Sequence, residues 1–290
     1  MTPQSLAAEV GSLFALPDVV LRVNALLDSP EANARDISAT VELDAGLASG
    51  VLHLANSAVY GQRGRVDTVA RAIDLIGRRA LRDMVLATSV VKVFDAIPEE
   101  FVDMATFWDN SVTCGVVAQI LARHVRSRDA DSLFLAGLLH GVGRLVFYAR
   151  RADEYRALLA EKPEGEKALA AAEQRAFGFT YASLGAALLE NWGLPERITT
   201  AINHQLSPRA APTAFARDVA VIHIANDIAA SLAPCLKQQQ TPAPYTPGFD
   251  PGAGSILDIS NEDLESIRLD ALAQTFEVIE IINPGSPLIY

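Results

Sequence analysis

The stretch Phe134-Leu-Ala-Gly-Leu-Leu-His140-Gly141-Val-Gly143-Arg144-Leu-Val-Phe-Tyr148 carries a single imidazole in the middle of an apolar segment. Five positions in and around it recur at steps of three and four residues, as on one face of a helix: Leu133, Gly137, His140, Arg144 and Phe147. We therefore predict one helix over residues 131–148. Gly141 offers no ligand beyond its backbone, whereas divalent metal sites need several convergent nitrogen or oxygen donors. The imidazole of His140 therefore has no side-chain ligand beside it at position 141.

The composition is that of a globular protein. Of 290 residues, half are hydrophobic and a fifth are charged. The net charge of −11, from 24 basic and 35 acidic residues, argues against a nucleic-acid partner. Six arginines lie close together in sequence: Arg63, Arg65, Arg71, Arg78, Arg79 and Arg82. We interpret them as a solvated helix face that pairs with nearby acids.

Three features predict a cytoplasmic protein with no membrane insertion. The two cysteines, Cys114 and Cys235, are too few for a disulfide framework and lack the spacing of a metal site. The N-terminus lacks the basic segment of a secretory signal, since its first positive residue is Arg22. The apolar run at residues 133–142 is shorter than a bilayer span.

Apolar residues recur with helical spacing through most of the chain, and the pattern breaks at turns rich in Gly, Pro, Ser and Asn. The predicted helices cover, approximately, residues 17–29, 37–43, 45–55, 66–76, 78–94, 98–125, 131–148, 164–177, 181–192, 195–206, 212–232 and 261–280. No stretch alternates convincingly as a strand does, and only residues 278–282 leave room for one. The predicted fold class is all-α.

Short motifs follow one another from Leu16 to about Ser207. They are Leu16-Pro17, Leu43-Asp44-Ala-Gly-Leu47, Asn56-Ser57-Ala-Val-Tyr60-Gly61, Ala72-Ile73 with Leu75-Ile-Gly77, Trp108-x-x-Ser111, Ala136-Gly137-Leu-Leu-His140-x-x-Gly143-Arg144, Phe177-Gly178, Trp192-Gly-Leu-Pro195 and Ile202-Asn-His204. In this order they resemble the HDOD family, a branch related to the HD phosphohydrolases that is common in bacterial signalling proteins. The stretches around Asn56 and His140 are the most specific.

The resemblance implies two helical sub-bundles within an HDOD domain at residues 16–210. The first covers about 16–95, and the second, a degenerate HD-like bundle, about 98–210. We expect a helical extension at 1–15 and a further helix at 211–236 that completes the second bundle. A Pro/Gly/Gln-rich linker at 237–258 and a C-terminal helix and tail at 259–290, begun by a Ser260–Asp263 cap, complete the prediction.

The same resemblance locates the positions where HD enzymes hold two metal ions. These vestigial positions are His140, Gly141 in place of a bridging Asp, Tyr181 in place of a His, His204, and Asp227 as candidate for the distal acid. Gln205 stands where a second His often follows the first, and Asn110 and Ser111 are the candidates near the first histidine position. A dinuclear centre needs more donors than this. We expect no cofactor and leave one weakly bound metal ion open.

Each of these residues also has a purely structural interpretation, which we favour. His140 fits a core histidine bonded to a carbonyl and a hydroxyl, and His204 fits a residue at the negative end of a helix dipole. Asn56 and Ser57 fit caps that fix a turn, and Trp108 and Trp192 fit core side chains whose indole N–H groups need partners.

The leading hypothesis is a non-catalytic regulatory module that works through contact with signalling proteins, with a groove between the sub-bundles as the expected docking place. Two alternatives stay open. One is a residual metal-dependent phosphohydrolase or phosphodiesterase that uses His140, His204 and Asp227. The other is a pocket that binds a nucleotide messenger without hydrolysing it. The sequence identifies neither the partner nor the pathway.

Overall fold

A computed structural model describes residues 1–60, 66–95, 97–98, 100–127, 129–161, 163, 165–238, 244–284 and 286. Within them the chain is helical, and none of the described residues forms a strand. The helices are α1 (Pro3–Glu9), α2 (Asp18–Asp28), α3 (Ala34–Val41), α4 (Ala45–Asn56), α5 (Val69–Val93), α6 (Met104–His124), α7 (Ala130–Leu139), α8 (Val142–Arg150), α9 (Ala152–Ala160), α10 (Gly165–Phe177), α11 (Tyr181–Asn191), α12 (Glu196–His204), α13 (Ala216–Gln238), α14 (Pro251–Leu257) and α15 (Asn261–Ile282). The all-α prediction is confirmed.

Side-chain caps and one glycine set many helix ends. The Asp44 carboxylate accepts a hydrogen bond from the Leu47 amide at 2.9 Å and starts α4. Ser260 and Asp263 form the predicted reciprocal cap of α15, which also contains residues 278–282. Gly77 adopts a φ of 82°, which strongly favours glycine, and interrupts α5 where the sequence predicts a stop.

The two ends of the chain pack across its middle. Helix α1 lies against α8 and α11, so the N-terminal extension contacts the second sub-bundle. Helix α15 packs against α4 and α5, which belong to the expected first sub-bundle, and against α6 and α13, which belong to the expected second one. The Glu277 carboxylate accepts a hydrogen bond from the Ala58 amide at 3.1 Å. The C-terminal helix therefore contacts helices from both parts of the chain.

Glycines let the central helices approach closely. A Cβ on Gly137 of α7 would lie 2.7 Å from the Cys114 carbonyl oxygen of α6. A Cβ on Gly143 of α8 would lie 2.6 Å from the backbone nitrogen of Gly185 in α11. Real Cβ atoms do not tolerate such distances. These two motif glycines are therefore required by helix packing.

Two predicted helix boundaries are wrong. The single helix over residues 131–148 is divided, because α7 ends at Leu139 and α8 starts at Val142, with His140 and Gly141 at the junction. The helix expected from Pro98 starts only at Met104, because the Asp103 carboxylate accepts the Thr106 amide at 3.0 Å and caps it there.

The expected linker at residues 237–258 also differs from its prediction. Asp250 caps the short helix α14, whose Ala253 and Leu257 are buried, and Tyr245 and Phe249 pack against the core. These apolar anchors recur every four residues, but the prolines and glycines between them mask that spacing in the sequence. Residues 239–243 lie outside the described residues.

The described part of the chain contains two stretches long and apolar enough to cross a membrane, Ala130–Arg150 and Thr213–Leu236. Their most apolar windows are 83% and 56% buried inside the fold. Such burial is what core helices of a helical bundle show.

Two arginines of α5 pair with acids, as interpreted from the sequence, and a third bonds the backbone instead. Arg82 bonds Asp28, Arg79 bonds Asp129, and Arg78 donates to the Ser29 carbonyl at 3.0 Å. Arg63 and Arg65 lie outside the described residues. These contacts give no support for a basic docking surface.

Candidate functional site

A cavity of about 730 Å³ lies beside His140, within the second sub-bundle. Its lining residues come from α6 and the segment before it, from the α7–α8 junction and α8, and from α13. None of the described residues in the expected first sub-bundle lines it. The described cavity is therefore at the vestigial HD position and not in the groove expected between the sub-bundles.

His140 is a buried, neutral histidine. Its Nδ1 lies 2.7 Å from the Gly137 carbonyl oxygen, which fixes Nδ1 as the protonated nitrogen. Burial, helped by the charge of Arg144, lowers the pKa of the ring to about 4, although hydrogen bonds to Gly137 and to the Asn226 side chain oppose the shift. The imidazole of His140 is therefore bonded to the Gly137 carbonyl, as expected, and to the Asn226 side-chain amide in place of the expected hydroxyl.

The position after His140 is filled by an aromatic ring. A Cβ on Gly141 would lie 3.2 Å from Cε2 and 3.4 Å from Cζ of Phe107. A side chain at this position would press on the half-buried Phe107 ring, which would have to shift by a few tenths of an ångström. Gly141 thus supplies no side-chain ligand, and the ring of Phe107 crowds its position.

Arg144, one turn after His140, is neutralised inside the protein. Its Nη2 donates to both carboxylate oxygens of Glu166, with a distance of 2.6 Å to Oε2, and its guanidinium lies 4.1 Å from the centre of the Tyr181 ring. Tyr181 donates its hydroxyl to Glu166 at 2.8 Å. Although burial alone raises the pKa of Glu166, Arg144 and Tyr181 hold it below its usual value. Tyr181 therefore supports this ion pair and does not point a metal ligand at His140.

The residues at the C-terminal end of α12 have structural roles. His204 is the last residue of α12, as the dipole interpretation requires, and it does not line the cavity. Gln205 is buried and donates its side-chain amide to the His140 carbonyl oxygen at 2.8 Å. His223 belongs to no recognisable sequence motif, and its Nδ1 lies 2.7 Å from the Gln205 carbonyl oxygen while its Nε2 accepts the Asp250 amide.

Asp227 does not reach His140. Its carboxylate accepts the Tyr245 hydroxyl and, at 3.0 Å, the Gly248 amide, and so holds the segment that follows α13. The neighbouring Asn226 faces the imidazole instead. A step of one residue turns a helical side chain by 100°, so this offset could be settled only by the packing of α13.

The donors present do not fit a two-metal HD centre. No three His, Cys, Asp or Glu side chains among the described residues come together as a metal-binding group. His140 meets a glycine, an asparagine and a glutamine at the positions around it, and none of these carries the bridging carboxylate that two cations share. We derive no reaction through a metal ion here.

The remaining motif residues are structural. Asn56 bonds both the amide and the carbonyl of Val66, each at 2.7 Å, and closes the turn after α4, while Ser57 donates to the Leu54 carbonyl. Trp192 donates to the Phe14 carbonyl at 2.8 Å, whereas Trp108 Nε1 has no hydrogen-bond partner among the described residues. Among the other motif residues, Pro195 directly precedes α12, Tyr60 is buried, and Ser111 lines the cavity. Gly61 lies outside the described residues.

The family model described as HDOD domain matches residues 13–208. This chain belongs to the HDOD family. It is an HD-related domain. The matched residues include His140 and the cavity-lining residues of α6 and α8, whereas α13 lies beyond the matched range.

An HDOD domain protein with unknown function from Geobacter sulfurreducens is similar to this chain, with 24% identity, a TM-score of 0.63 and coverage of 98% of this chain and 97% of its own. A Shewanella amazonensis SB2B protein named "Putative phosphohydrolase" has 21% identity and a TM-score of 0.73 over 96% of this chain and 97% of its own. At such identities these likenesses show the fold alone.

An uncharacterized protein of Treponema pallidum (strain Nichols) is 25% identical over 224 residues, which are 77% of this chain and 43% of that protein. This chain therefore spans less than half the length of that curated relative. The activity of the longer protein does not transfer to it.

Proposed function

We propose that this HDOD protein is a non-catalytic signalling module that acts by contact with other proteins. The observation that carries the proposal is the Phe107 ring packed against Gly141, at the position where a dinuclear hydrolase needs its bridging carboxylate. The neutral His140, the turned-away Asp227 and the paired Arg144 support it. A scaffold that keeps its helices while its ligands serve internal hydrogen bonds is suited to binding and not to hydrolysis.

Exposed apolar side chains provide a place to test the contact. Leu43 is 73% exposed and precedes Asp44, the cap of α4, while Leu21 and Leu75 of the same sub-bundle are each 49% exposed. Large aliphatic side chains at such exposure are candidates for partner contact, although single ones also occur by chance.

The experiment compares three forms of the full chain in its native cell by in-cell cross-linking and mass spectrometry: the unaltered protein, Leu43→Asp and His140→Gln. We expect specific cross-linked partners that Leu43→Asp loses and His140→Gln retains. In parallel, the purified protein with Mn²⁺ should not hydrolyse cyclic dinucleotides or aryl phosphates. Hydrolysis that His140→Gln abolishes would overturn the proposal and favour a residual phosphohydrolase.

A further inference from the structure

The cavity beside His140 has the size and walls of a ligand site. Its volume of about 730 Å³ lies within the range of about 300–1,000 Å³ that holds small molecules. Phe101, Phe107 and Leu236 contribute apolar surface, and Asn110 and Arg144 contribute hydrogen-bonding groups. Flat rings beside a few polar groups are the usual composition of a site for an organic molecule.

Two buried polar atoms at this cavity have no partner among the described residues. Ser111 is 1% exposed, lines the cavity, and its Oγ makes no hydrogen bond. The Nε of Arg144 is buried and equally unpaired, although Nη2 of the same side chain is held by Glu166. Buried polar groups are paired in the great majority of cases, and two of the nine exceptions among the described residues belong to side chains that line this one cavity.

The charges around the cavity select against phosphate. Asp103 and Asp109 lie on its wall, and Glu166 already neutralises Arg144, the positive side chain that lines it. Asp109 accepts hydrogen bonds from Asn283 and Ser286 and so remains an acceptor. A phosphate group would meet the carboxylates of Asp103 and Asp109 on the wall, whereas the lining guanidinium of Arg144 is already paired with Glu166. Like charges in a partly buried site repel strongly.

We propose that this cavity binds an uncharged planar heterocycle of the nucleobase or nucleoside class. The Asn110 amide can both donate to and accept from the edge of such a ring, and Phe107 offers a flat apolar surface. This proposal adds a ligand to the proposed regulatory function. It rests on that function in one respect, namely that the protein binds the ligand without converting it.

Isothermal titration of the full chain with adenosine, guanosine, cytidine and uridine tests the proposal. Each is paired with its 5′-monophosphate, and cyclic di-GMP is included. We expect at least one nucleoside to bind with a dissociation constant on the order of 10–100 μM, as suits a ligand of about 20 heavy atoms. Its 5′-monophosphate should bind roughly tenfold more weakly because of the added charge.

Two variants and one matched control locate the binding. Asn110→Ala should weaken it roughly tenfold, whereas Asn203→Ala, which alters an exposed asparagine of α12 outside the cavity, should leave it unchanged. Ala230→Leu fills the mouth of the cavity from an exposed position and should also weaken binding, even if Asn110→Ala does not fold.

Three results would overturn this assignment. The first is that no nucleoside binds at concentrations up to about 1 mM. The others are tighter binding of a 5′-monophosphate than of its nucleoside, and unchanged binding in both cavity variants. None of them bears on catalysis. Loss of the proposed regulatory function would instead show as hydrolysis of a phosphoester, so the two failures are distinguishable.

Discussion

The ring of Phe107 lies against Gly141, with Cε2 3.2 Å from the point where a Cβ would be. This relationship links α6 to the α7–α8 junction. A carboxylate added at position 141 would press on this ring, so the ring must shift to accommodate it.

Gly141→Asp should destabilise the protein by roughly 2–4 kcal/mol, because the new side chain would be forced against the Phe107 ring and would bury a charge. Chemical denaturation measures the free energy of unfolding. The pair Gly141→Asp with Phe107→Ala should recover part of the steric cost, and Gly141→Ala should cost about 1 kcal/mol or less because the half-buried ring can yield. A Gly141→Asp protein as stable as the unaltered one would contradict this packing.

His140 should make the protein less stable in mild acid. Its folded pKa of about 4 lies below the unfolded value near 6.5, so only the unfolded state takes up a proton between these limits. Stability should fall as pH decreases from about 6.5 to about 4, by roughly 3 kcal/mol in total. Urea denaturation of His140→Gln should lack this component. An identical pH dependence in the variant and the unaltered protein would rule it out.

Asp83 should have the opposite effect. It is buried where α5 meets α7 and bonds Ser132 at 2.9 Å, and burial raises the pKa of its carboxyl to about 7. Since the folded state holds the proton longer than the unfolded one, stability should fall as pH rises from about 4 to about 7. Asp83→Asn should flatten this fall.

The control for Asp83 is Asp270→Asn, which alters an exposed carboxylate of α15. It should leave the pH dependence between 4 and 7 unchanged. Glu173, whose buried carboxyl also has a pKa raised to about 7, should supply the part of the fall that Asp83→Asn does not remove. Equal curves for both aspartate variants would show that Asp83 is not the titrating group.

Gly143→Ala should be severely destabilising, by roughly 3 kcal/mol or more, because its methyl group would overlap the backbone of α11. Gly254→Ala is the matched helical control, since its Cβ would meet only the Phe249 ring at 3.3 Å. We expect the control to change the unfolding free energy by about 1 kcal/mol or less. Thermal unfolding of both variants checks the difference, and a stable Gly143→Ala protein would refute the close helix contact.

Much of the fold could be predicted because its signals are local. Helical spacing of apolar residues, the Asp44 and Ser260 caps and the stop at Gly77 are all encoded within a few neighbouring positions. The motif order, from Leu16 to His204, identified the family. The break between α7 and α8 has no such signal, because the apolar residues Leu138, Leu139 and Val142 continue the helical pattern across the junction.

The candidate site was less predictable because it depends on contacts between distant residues. Phe107 and Gly141 are 34 positions apart, and no local pattern reveals that the Phe107 ring lies against Gly141. Asn226 and Asp227 are equally polar neighbours, so sequence alone favoured the acid, whereas packing of α13 turned the amide toward His140. His223 shows no local sequence signal for the same reason, since its partners Gln205 and Asp250 lie 18 and 27 positions away.

The most direct measurement is the metal stoichiometry of the full chain after incubation with excess Mn²⁺ or Fe²⁺ and removal of free ions, determined by elemental analysis alongside His140→Gln. Because the donors around His140 do not converge, we predict well below one equivalent of either metal in both proteins. Two equivalents in the unaltered protein, lost in His140→Gln, would contradict the claim that this scaffold has given up its dinuclear centre.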